Sequence, residues 1–204
     1  MTVRSSLILS TRPKNMTASS HTSFVLPEHY LEMELHSPYK NEYLDGEVRA
    51  MGYTSNHHGL IVGGIMLALG ACFRKNGCKL YPADRLIHSE SCNLFAYPDL
   101  VILCEPPQFK TYRGDMQALL NPTILIEVLS ETTAEYDRAR KLPCYRQIQS
   151  VQHILLVESE RKFVEHHQRV QPHQWHVSEL FPPQHLTLND CTIDLNAFYD
   201  QVDF

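Results

Sequence analysis

The sequence lacks the long apolar segments that place a protein in a membrane or direct it out of the cell. No uninterrupted apolar run in its 204 residues reaches the ~18 residues that a membrane-spanning helix needs. Near the start, the only apolar stretch is Leu7–Leu9, which is shorter than the ~7–15 residues of the apolar part of a signal peptide. We therefore expect a cytoplasmic protein that binds no membrane.

Basic residues are not in excess either. The formal net charge is −5, whereas a protein that neutralises many phosphates usually carries a basic excess. Any binding of nucleic acid must therefore come from a local basic patch. The sequence also lacks the G-x-S-x-G turn of many serine hydrolases, a Walker-type phosphate loop and the Cys/His spacing of a zinc site. Those three kinds of site have no support.

The six cysteines include no C-x-x-C pair. In a reducing compartment such cysteines are most simply free thiols, largely buried, and this is our prediction. Residues 1–25 are rich in Ser and Thr without apolar periodicity, which indicates a flexible N-terminal tail. Residues 26–204 contain neither an internal repeat nor a low-complexity linker, so we predict a single domain over that range.

Two local patterns predict a hairpin and a long helix. Asp45-Gly46 lies between two short segments and is typical of a tight β-hairpin turn. Ser55 can cap a helix over residues 56–75, in which apolar residues recur at steps of three and four. Gly63-Gly64 inside this helix costs up to about 1 kcal/mol per Gly relative to Ala. The simplest explanation for the pair is the close approach of another backbone.

The following part of the chain alternates strands with one further helix. Residues 99–104 and 123–130 are near-continuous apolar runs, which are typical of strands in the middle of a covered sheet. Thr132–Glu135 has the spacing of a capping box and predicts the start of a helix, which Pro143 breaks or kinks near its end. Further strands are predicted over residues 78–88, 152–157 and 163–168. The order of helix, three strands, helix and strand predicts an α/β fold with helices flanking a mixed sheet.

Two acidic residues lie in these buried strands. Asp99 opens the first apolar strand, and Glu127 lies inside the second. An ionised carboxylate in such a place is strongly disfavoured unless it is paired or bound to a metal. Mg²⁺ prefers carboxylate oxygens, with waters and substrate phosphate completing its shell, and it can activate a water for attack on a phosphodiester. The alternatives are a turn cap at Asp99 and a buried ion pair at Glu127.

Several charged residues could complete a site around these carboxylates. Lys141 lies in the helix after the second strand and could stabilise the attacked phosphate with its charge. Asp137 precedes it by four residues, so an ordinary surface ion pair is the alternative. His58 at the start of the first long helix could contact phosphate, or it could cap that helix or be merely exposed. Arg138 and Arg146 could bind substrate, although such charges often form only a solvated face.

Several short motifs occur in a characteristic order along the chain. They include Glu42-Tyr43-Leu44-Asp45-Gly46-Glu47, Tyr97-Pro98-Asp99-Leu100-Val101, Ile126-Glu127-Val128-Leu129-Ser130 and Tyr136-Asp137-Arg138. On these motifs the sequence resembles the Uma2 family of restriction-endonuclease-like proteins, once filed as a domain of unknown function and common in cyanobacteria. The family is similar to PD-(D/E)xK nucleases. The resemblance implies a restriction-endonuclease-like core, with Asp99 and Glu127 as ligands of Mg²⁺ or Mn²⁺.

The sequence departs from the nuclease pattern at one position of its central motif. The usual Lys would stand two residues after Glu127, where this chain has Leu129. The resemblance implies that Lys141 supplies this charge from the following helix. Related nucleases often take a further acid from the first core helix, which contains neither Asp nor Glu here. Glu47 on the preceding hairpin could fill that role, or it could be a solvated hairpin carboxylate.

These observations predict a metal-dependent DNA endonuclease that hydrolyses phosphodiester bonds through a water activated by the divalent ion. The catalytic candidates are Asp99, Glu127, Lys141 and Glu47, and the substrate-binding candidates are His58, Arg138 and Arg146. The acidic net charge and the displaced Lys favour an alternative, a catalytically inactive module of the same fold that binds nucleic acid or protein. Cleavage of both strands of a duplex would suit a homodimer, although the sequence carries no dimer signature.

Overall fold

The computed structural model of the protein describes residues 24–204. The predicted N-terminal tail, residues 1–25, therefore lies outside the described residues except for Phe24 and Val25. Val25 donates its backbone N–H to the carbonyl oxygen of Gly46 at 2.9 Å. The described part of the chain thus begins in contact with the first hairpin.

The described residues form four α-helices, one π-helical turn, two 3₁₀ turns and fourteen strands. The α-helices are α1 (Pro27–His36), α2 (Asn56–Lys75), α3 (Ala134–Tyr136) and α4 (Leu142–Tyr145). The π-helical turn is Asp137–Lys141, and the 3₁₀ turns are Glu90–Cys92 and Leu195–Phe198. The strands are β1 (Asn41–Leu44), β2 (Glu47–Ala50), β3 (Lys79–Pro82), β4 (Ile87–Ser89), β5 (Leu94–Ala96), β6 (Leu100–Leu103), β7 (Phe109–Thr111), β8 (Gln117–Leu119), β9 (Ile124–Leu129), β10 (His153–Glu158), β11 (Val164–Gln171), β12 (Gln174–Leu180), β13 (His185–Leu188) and β14 (Cys191–Asp194).

Two six-stranded sheets and the β13-β14 hairpin contain these strands. The central sheet has the order β12-β11-β10-β9-β6-β3, and the second sheet has the order β2-β1-β5-β4-β8-β7. β9 is parallel to β10 and antiparallel to β6, so the central sheet is mixed, as predicted. The predicted strand over residues 78–88 divides after Pro82, with β3 in the central sheet and β4 in the second. The succession α2, β3, β6, β9, α3–α4 and β10 confirms the predicted core order.

α2 covers one face of the central sheet. Ser55 caps it by accepting the backbone N–H of His58 at 3.2 Å, as predicted. The apolar cluster on this face includes Ile61, Ile65, Leu69 and Phe73 of α2 with Leu100, Ile102, Ile124 and Ile126 of the sheet. Burial of each such side chain contributes ~1.5–3 kcal/mol. By length and composition alone α2 could also cross a membrane, but packing on the sheet accounts for its apolar side.

The second sheet and α4 cover the opposite face of the central sheet. The cluster there includes Val101, Leu103, Leu125 and Leu129 of the central sheet with Ile87, Leu94, Leu142 and Tyr145. Both faces of β6 and β9 are therefore buried, which explains their near-continuous apolar sequences. Side chains two residues apart share a face of a strand. Glu127 thus lies on the same face as Leu125 and Leu129, toward the second sheet and α4.

The helix predicted after β9 is present, but its start and its kink differ from a regular α-helix. Thr133 is the N-cap residue, and its side chain makes no capping hydrogen bond, so the predicted capping box does not form. The kink expected from Pro143 takes the form of the π-helical turn before it. Leu142 N–H donates to the Asp137 carbonyl five residues back. In a regular α-helix the ring of a proline clashes with the carbonyl group four residues earlier. The wider π-helical turn before Pro143 changes that spacing and avoids the clash.

The prediction of free thiols is wrong. All six cysteines are paired, as Cys72–Cys191, Cys78–Cys104 and Cys92–Cys144, and no free cysteine remains in residues 24–204. The partners are 119, 26 and 52 residues apart in sequence. Such separations leave no local signature, so the absence of C-x-x-C did not exclude pairing. The expected cytoplasmic location loses the support of free thiols and stays a prediction.

The two adjacent glycines of α2 have different surroundings. A Cβ atom added at Gly64 would lie 2.7 Å from the carbonyl oxygen of Phe198 and 2.9 Å from that of Ala197. A Cβ atom added at Gly63 would meet nothing within 4 Å. The close backbone approach expected from the sequence is therefore present at Gly64, where the 3₁₀ turn Leu195–Phe198 lies against α2.

We expect opposite effects from alanine at these two positions. Gly64→Ala should lower the free energy of unfolding by ~1–3 kcal/mol, because a backbone segment must move to admit the methyl group. Gly63→Ala is the matched control and should raise it by up to about 1 kcal/mol through helix propensity. Urea denaturation of the two variants measures both values. Equal stabilities would contradict the close packing of the 3₁₀ turn on α2.

Candidate active site

Asp99 and Glu127 lie side by side at the edge between the two sheets. Leu100 pairs with Ile126 in the antiparallel register of β6 and β9, which places Asp99 opposite Glu127. The backbone N–H of Asp99 donates to Glu127 Oε2 at 3.4 Å. Both side chains are buried, with 9 % and 4 % of their residue surfaces exposed. The structure thus brings the two predicted metal ligands together on one face.

The Asp99 carboxylate is held by two donors on one of its oxygens. Oδ2 accepts the backbone N–H of Val128 at 2.8 Å and lies 3.0 Å from His58 Nε2. A carboxylate only accepts, so Nε2 carries the hydrogen. His58 is buried at the start of α2, and its position next to Asp99 connects the first long helix to the site.

Lys141 is buried at the centre of the acidic residues. Its Nζ lies 2.8 Å from Glu127 Oε1, 2.9 Å from Glu42 Oε1 and 3.3 Å from Asp137 Oδ1. The Lys141 side chain is only 4 % exposed. The ion pair with Asp137 that the sequence offered as an alternative does form, but it is buried and not at the surface. Lys141 shares its charge with the carboxylates of Glu127 and Glu42 as well.

Buried charge shifts the pKa values of this cluster. Burial raises the pKa of Glu127 to about 8, with the neighbouring carboxylates adding to the shift and Lys141 opposing it. Burial alone would lower the pKa of Lys141, but the carboxylates of Glu127 and Glu42 outweigh it and raise that pKa well above its usual value. The pKa of Tyr145 is also raised well above its usual value, first by burial and then by Glu127. Tyr145 therefore keeps its hydrogen and donates it to Glu127 Oε1 at 2.5 Å.

A cleft of about 230 Å³ opens over this cluster. Its buried polar and charged lining residues, here called the floor, are Glu42, Asp99, Glu127 and Asp137 together with Lys141 and His58. Its less buried lining residues, here called the mouth, belong to β2 with the loop that follows and to the segment from Ser130 to Tyr136. The cleft is acidic at its floor and large enough for a small polar group such as a phosphate.

Comparisons with known proteins identify the family of this chain. The model of the Uma2 family, described as putative restriction endonuclease, matches residues 27–196. The chain belongs to the Uma2 family. Two uncharacterized proteins of Synechocystis sp. are similar to it, one 27 % identical over 165 residues and the other 33 % identical over 135 residues. These alignments cover 81 % and 65 % of this chain and 92 % and 68 % of the respective relatives.

A solved structure shares the fold of this Uma2 chain. It is a crystal structure of a putative nuclease belonging to DUF820 from Anabaena variabilis. The two superpose with a TM-score of 0.69 at 12 % sequence identity, over 86 % of this chain and 98 % of that one. At this identity the likeness shows the fold alone, which is the predicted restriction-endonuclease-like α/β fold.

The acidic donor set of this Uma2 chain fits a hard divalent cation. Glu42, Asp99, Glu127 and Asp137 bring four carboxylates to the floor of the cleft, against the single ammonium of Lys141. Mg²⁺ and Mn²⁺ take such oxygens, and Mg²⁺ usually keeps several waters. Within residues 24–204 no three acidic, His or Cys side chains are placed to hold one ion together. The fit therefore requires two protein ligands, Asp99 and Glu127, with waters or substrate completing the shell.

Glu47 does not join the cluster. It stands opposite Leu44 near the hairpin turn, and its Oε2 lies 3.6 Å from a guanidinium nitrogen of Arg140. Glu42 occupies the position by the central sheet, where its Oε1 also accepts the backbone N–H of Tyr97 at 3.1 Å. Both acids belong to one sequence motif. The packing of the hairpin against the central sheet is what brings Glu42, and not Glu47, into the cluster.

Arg138 and Arg146 also lie away from the cleft. Arg138 pairs with Glu158 at 2.8 Å and with Glu165 at 3.6 Å. Arg146 donates to His167 Nδ1 at 2.6 Å. The guanidinium groups predicted to bind substrate thus stabilise the helix against β10 and β11, and neither of them lines the cleft.

Removal of the Lys141 charge should destabilise the fold strongly. Lys141→Met leaves buried carboxylates without their cation, so we expect a loss of about 3–5 kcal/mol in the free energy of unfolding. Arg140→Met is the matched control, because Arg140 is half exposed and its ion pair spans 3.6 Å. That change should cost less than about 0.5 kcal/mol. Urea denaturation at pH 8 measures both.

The deficit in the free energy of unfolding that Lys141→Met causes should be smaller at low pH than at high pH. The folded chain holds the Glu127 proton more tightly than the unfolded one, so this group's contribution to the unfolding free energy falls as pH rises from 4.5 to about 8. Without Lys141 the pKa of Glu127 in the folded chain should rise further, because the carboxylate loses its counter-charge, so the fall continues to higher pH. A deficit that is equal at pH 5 and pH 9 would contradict this account of the cluster.

Proposed function

We propose that the protein is a divalent-metal-dependent endonuclease that hydrolyses phosphodiester bonds of DNA. The observation that carries the proposal is the buried pair Asp99 and Glu127 with the Lys141 ammonium 2.8 Å from Glu127 Oε1. Membership of the Uma2 family and the restriction-endonuclease-like fold support nuclease activity. The proposed metal dependence rests on the acidic donor set of the cleft, and the proposed DNA substrate rests on the restriction-endonuclease family.

Asp99 and Glu127 are the proposed ligands of Mg²⁺ or Mn²⁺. Such an ion lowers the pKa of a water and offsets the negative charge that develops on a phosphate. His58 and the Val128 N–H fix the orientation of the Asp99 carboxylate, and Tyr145 fixes that of Glu127. Lys141 holds its charge beside the reacting phosphate without competing for a proton, since the carboxylates keep it ionised.

One observation favours the second candidate function, a catalytically inactive module that binds nucleic acid or protein. An ammonium has three N–H donors, and the Lys141 nitrogen faces three carboxylates. A lysine that remains locked in this way has no donor for a phosphate. The endonuclease therefore requires that a metal ion or the substrate draws one carboxylate away from Lys141.

Cleavage of plasmid and single-stranded DNA should require both a divalent ion and the two carboxylates. We expect nicking or linearisation with Mg²⁺ or Mn²⁺, and none in EDTA. Asp99→Asn and Glu127→Gln should each lower the rate by about 10²–10³-fold, the size of effect typical for loss of one electrostatic group in an active site. Calorimetry with Mn²⁺ should show weaker binding by both variants. Cleavage at the wild-type rate by the double variant would refute the proposal, and wild-type DNA binding without cleavage would favour the inactive module.

Variants of Glu42 and Glu47 test whether the acid found in the cleft or the acid predicted from the sequence contributes to cleavage. Glu42→Gln should lower cleavage at least tenfold, because the Glu42 carboxylate positions both the Lys141 ammonium and the backbone at Tyr97, two residues before Asp99. Glu47→Gln is the matched control on the same hairpin and should cleave DNA at nearly the wild-type rate. The same plasmid assay with matched protein concentrations decides between them. A loss at Glu47 equal to that at Glu42 would instead support the residue predicted from the sequence.

A further inference from the structure

Two side chains at the mouth of the cleft have no part in the proposed hydrolysis. Arg49 of β2 is half-buried, and its guanidinium carbon lies 4.4 Å from the ring centre of Tyr136. One of its terminal nitrogens donates to the carbonyl oxygen of Thr132 at 3.1 Å. Arg49 is thereby fixed across the cleft, and within residues 24–204 the remaining N–H groups of its five-donor fork have no acceptor.

Tyr136, which also lines the cleft, has a hydroxyl donor without a hydrogen-bond partner in the described chain. Its hydroxyl oxygen is buried, and no residue of the described chain, 24–204, forms a hydrogen bond with it. Tyr136 lines the cleft beside Lys141 and Glu42. Burial raises the pKa of Tyr136 to about 12, with Glu42 adding to the shift. The phenol therefore keeps its hydrogen and can donate it to an anion.

The charge of the cleft makes such donors necessary. The residues that line it include Glu42, Asp99, Glu127 and Asp137, which repel a phosphate backbone. Lys141 is already surrounded by carboxylates. Among the residues of 24–204 that line the cleft, Arg49 is the only arginine, and a guanidinium matches two phosphate oxygens at once.

We propose that Arg49 and Tyr136 form a clamp that binds a backbone phosphate of the nucleic-acid substrate at the mouth of the cleft. Arg49 donates through the edge of its guanidinium, and Tyr136 donates through its hydroxyl. Stacking of the guanidinium on the phenol ring leaves that edge unblocked. The clamp takes the place that Arg138 and Arg146 were expected to fill. This inference rests on the proposed function, because it assumes a phosphodiester substrate at the carboxylates.

Arg49→Ala and Tyr136→Phe test the clamp by binding rather than by cleavage alone. The probe is a fluorescein-labelled DNA duplex followed by anisotropy, with Ca²⁺ in place of Mg²⁺. Arg49→Ala should weaken binding at least tenfold and lower the slope of log K against log salt by about 1. Arg49→Lys should fall between the wild type and Arg49→Ala, since it keeps the charge and loses the fork. Arg140→Ala removes the same charge outside the cleft and should bind like the wild type.

Tyr136→Phe isolates the hydroxyl, because the ring that stacks on Arg49 remains. We expect severalfold weaker DNA binding together with an unchanged or higher melting temperature, since the hydroxyl has no partner in the described chain to lose. In cleavage assays the clamp variants should raise KM more than they lower kcat. Their Mn²⁺ affinity by calorimetry should equal that of the wild type.

The outcomes separate the clamp from the proposed function. Wild-type cleavage together with unaltered DNA binding by Arg49→Ala and Tyr136→Phe overturns the clamp alone. A wild-type protein that neither binds nor cleaves DNA overturns the proposed function and the clamp with it. Reduced DNA binding with a lowered melting temperature in Tyr136→Phe assigns the hydroxyl a structural role and also overturns the clamp.

Discussion

The buried ammonium of Lys141 joins three separate parts of the chain at one point. Its nitrogen lies between 2.8 and 3.3 Å from carboxylates of β1, β9 and the π-helical turn. A buried charge is tolerated only while its partners satisfy it. None of these elements can therefore shift without leaving a charge unpaired. The Lys141 side chain thus fixes the relative positions of three elements: the second sheet, the central sheet and the helix before β10.

The same interaction gives the cleft its chemistry. One ammonium cannot neutralise the carboxylates of Glu42, Asp99, Glu127 and Asp137, and the excess of negative charge helps to raise the pKa of Glu127. Buried ion pairs contribute little to stability compared with well-packed apolar groups. A surplus of buried acid is worse still for stability alone. The presence of this cluster in an otherwise apolar interface therefore supports the proposed metal site.

Local periodicity predicted much of this structure, and long-range packing decided the rest. The apolar runs predicted that Asp99 and Glu127 lie in buried strands. That the two side chains meet on one face depends on the antiparallel register of β6 and β9, in which Leu100 pairs with Ile126. The choice between Glu42 and Glu47 needed the docking of a hairpin on a distant sheet, which no local pattern encodes. The pairing of Cys72 with Cys191, 119 residues apart, was beyond sequence spacing for the same reason.

The contacts of the basic residues show why a patch that binds nucleic acid cannot be predicted by counting basic residues in a sequence. Arg138 and Arg146 are close to Lys141 along the chain, yet their guanidinium groups contact Glu158, Glu165 and His167 on another side of the helix. The cleft therefore keeps an acidic character, and long-range attraction does little to draw a polyanion into it. In the proposed endonuclease, affinity must come from a few directed donors and from a cation held among the carboxylates. Binding of the proposed substrate and of the proposed metal ion should consequently be coupled, because each neutralises charge that opposes the other.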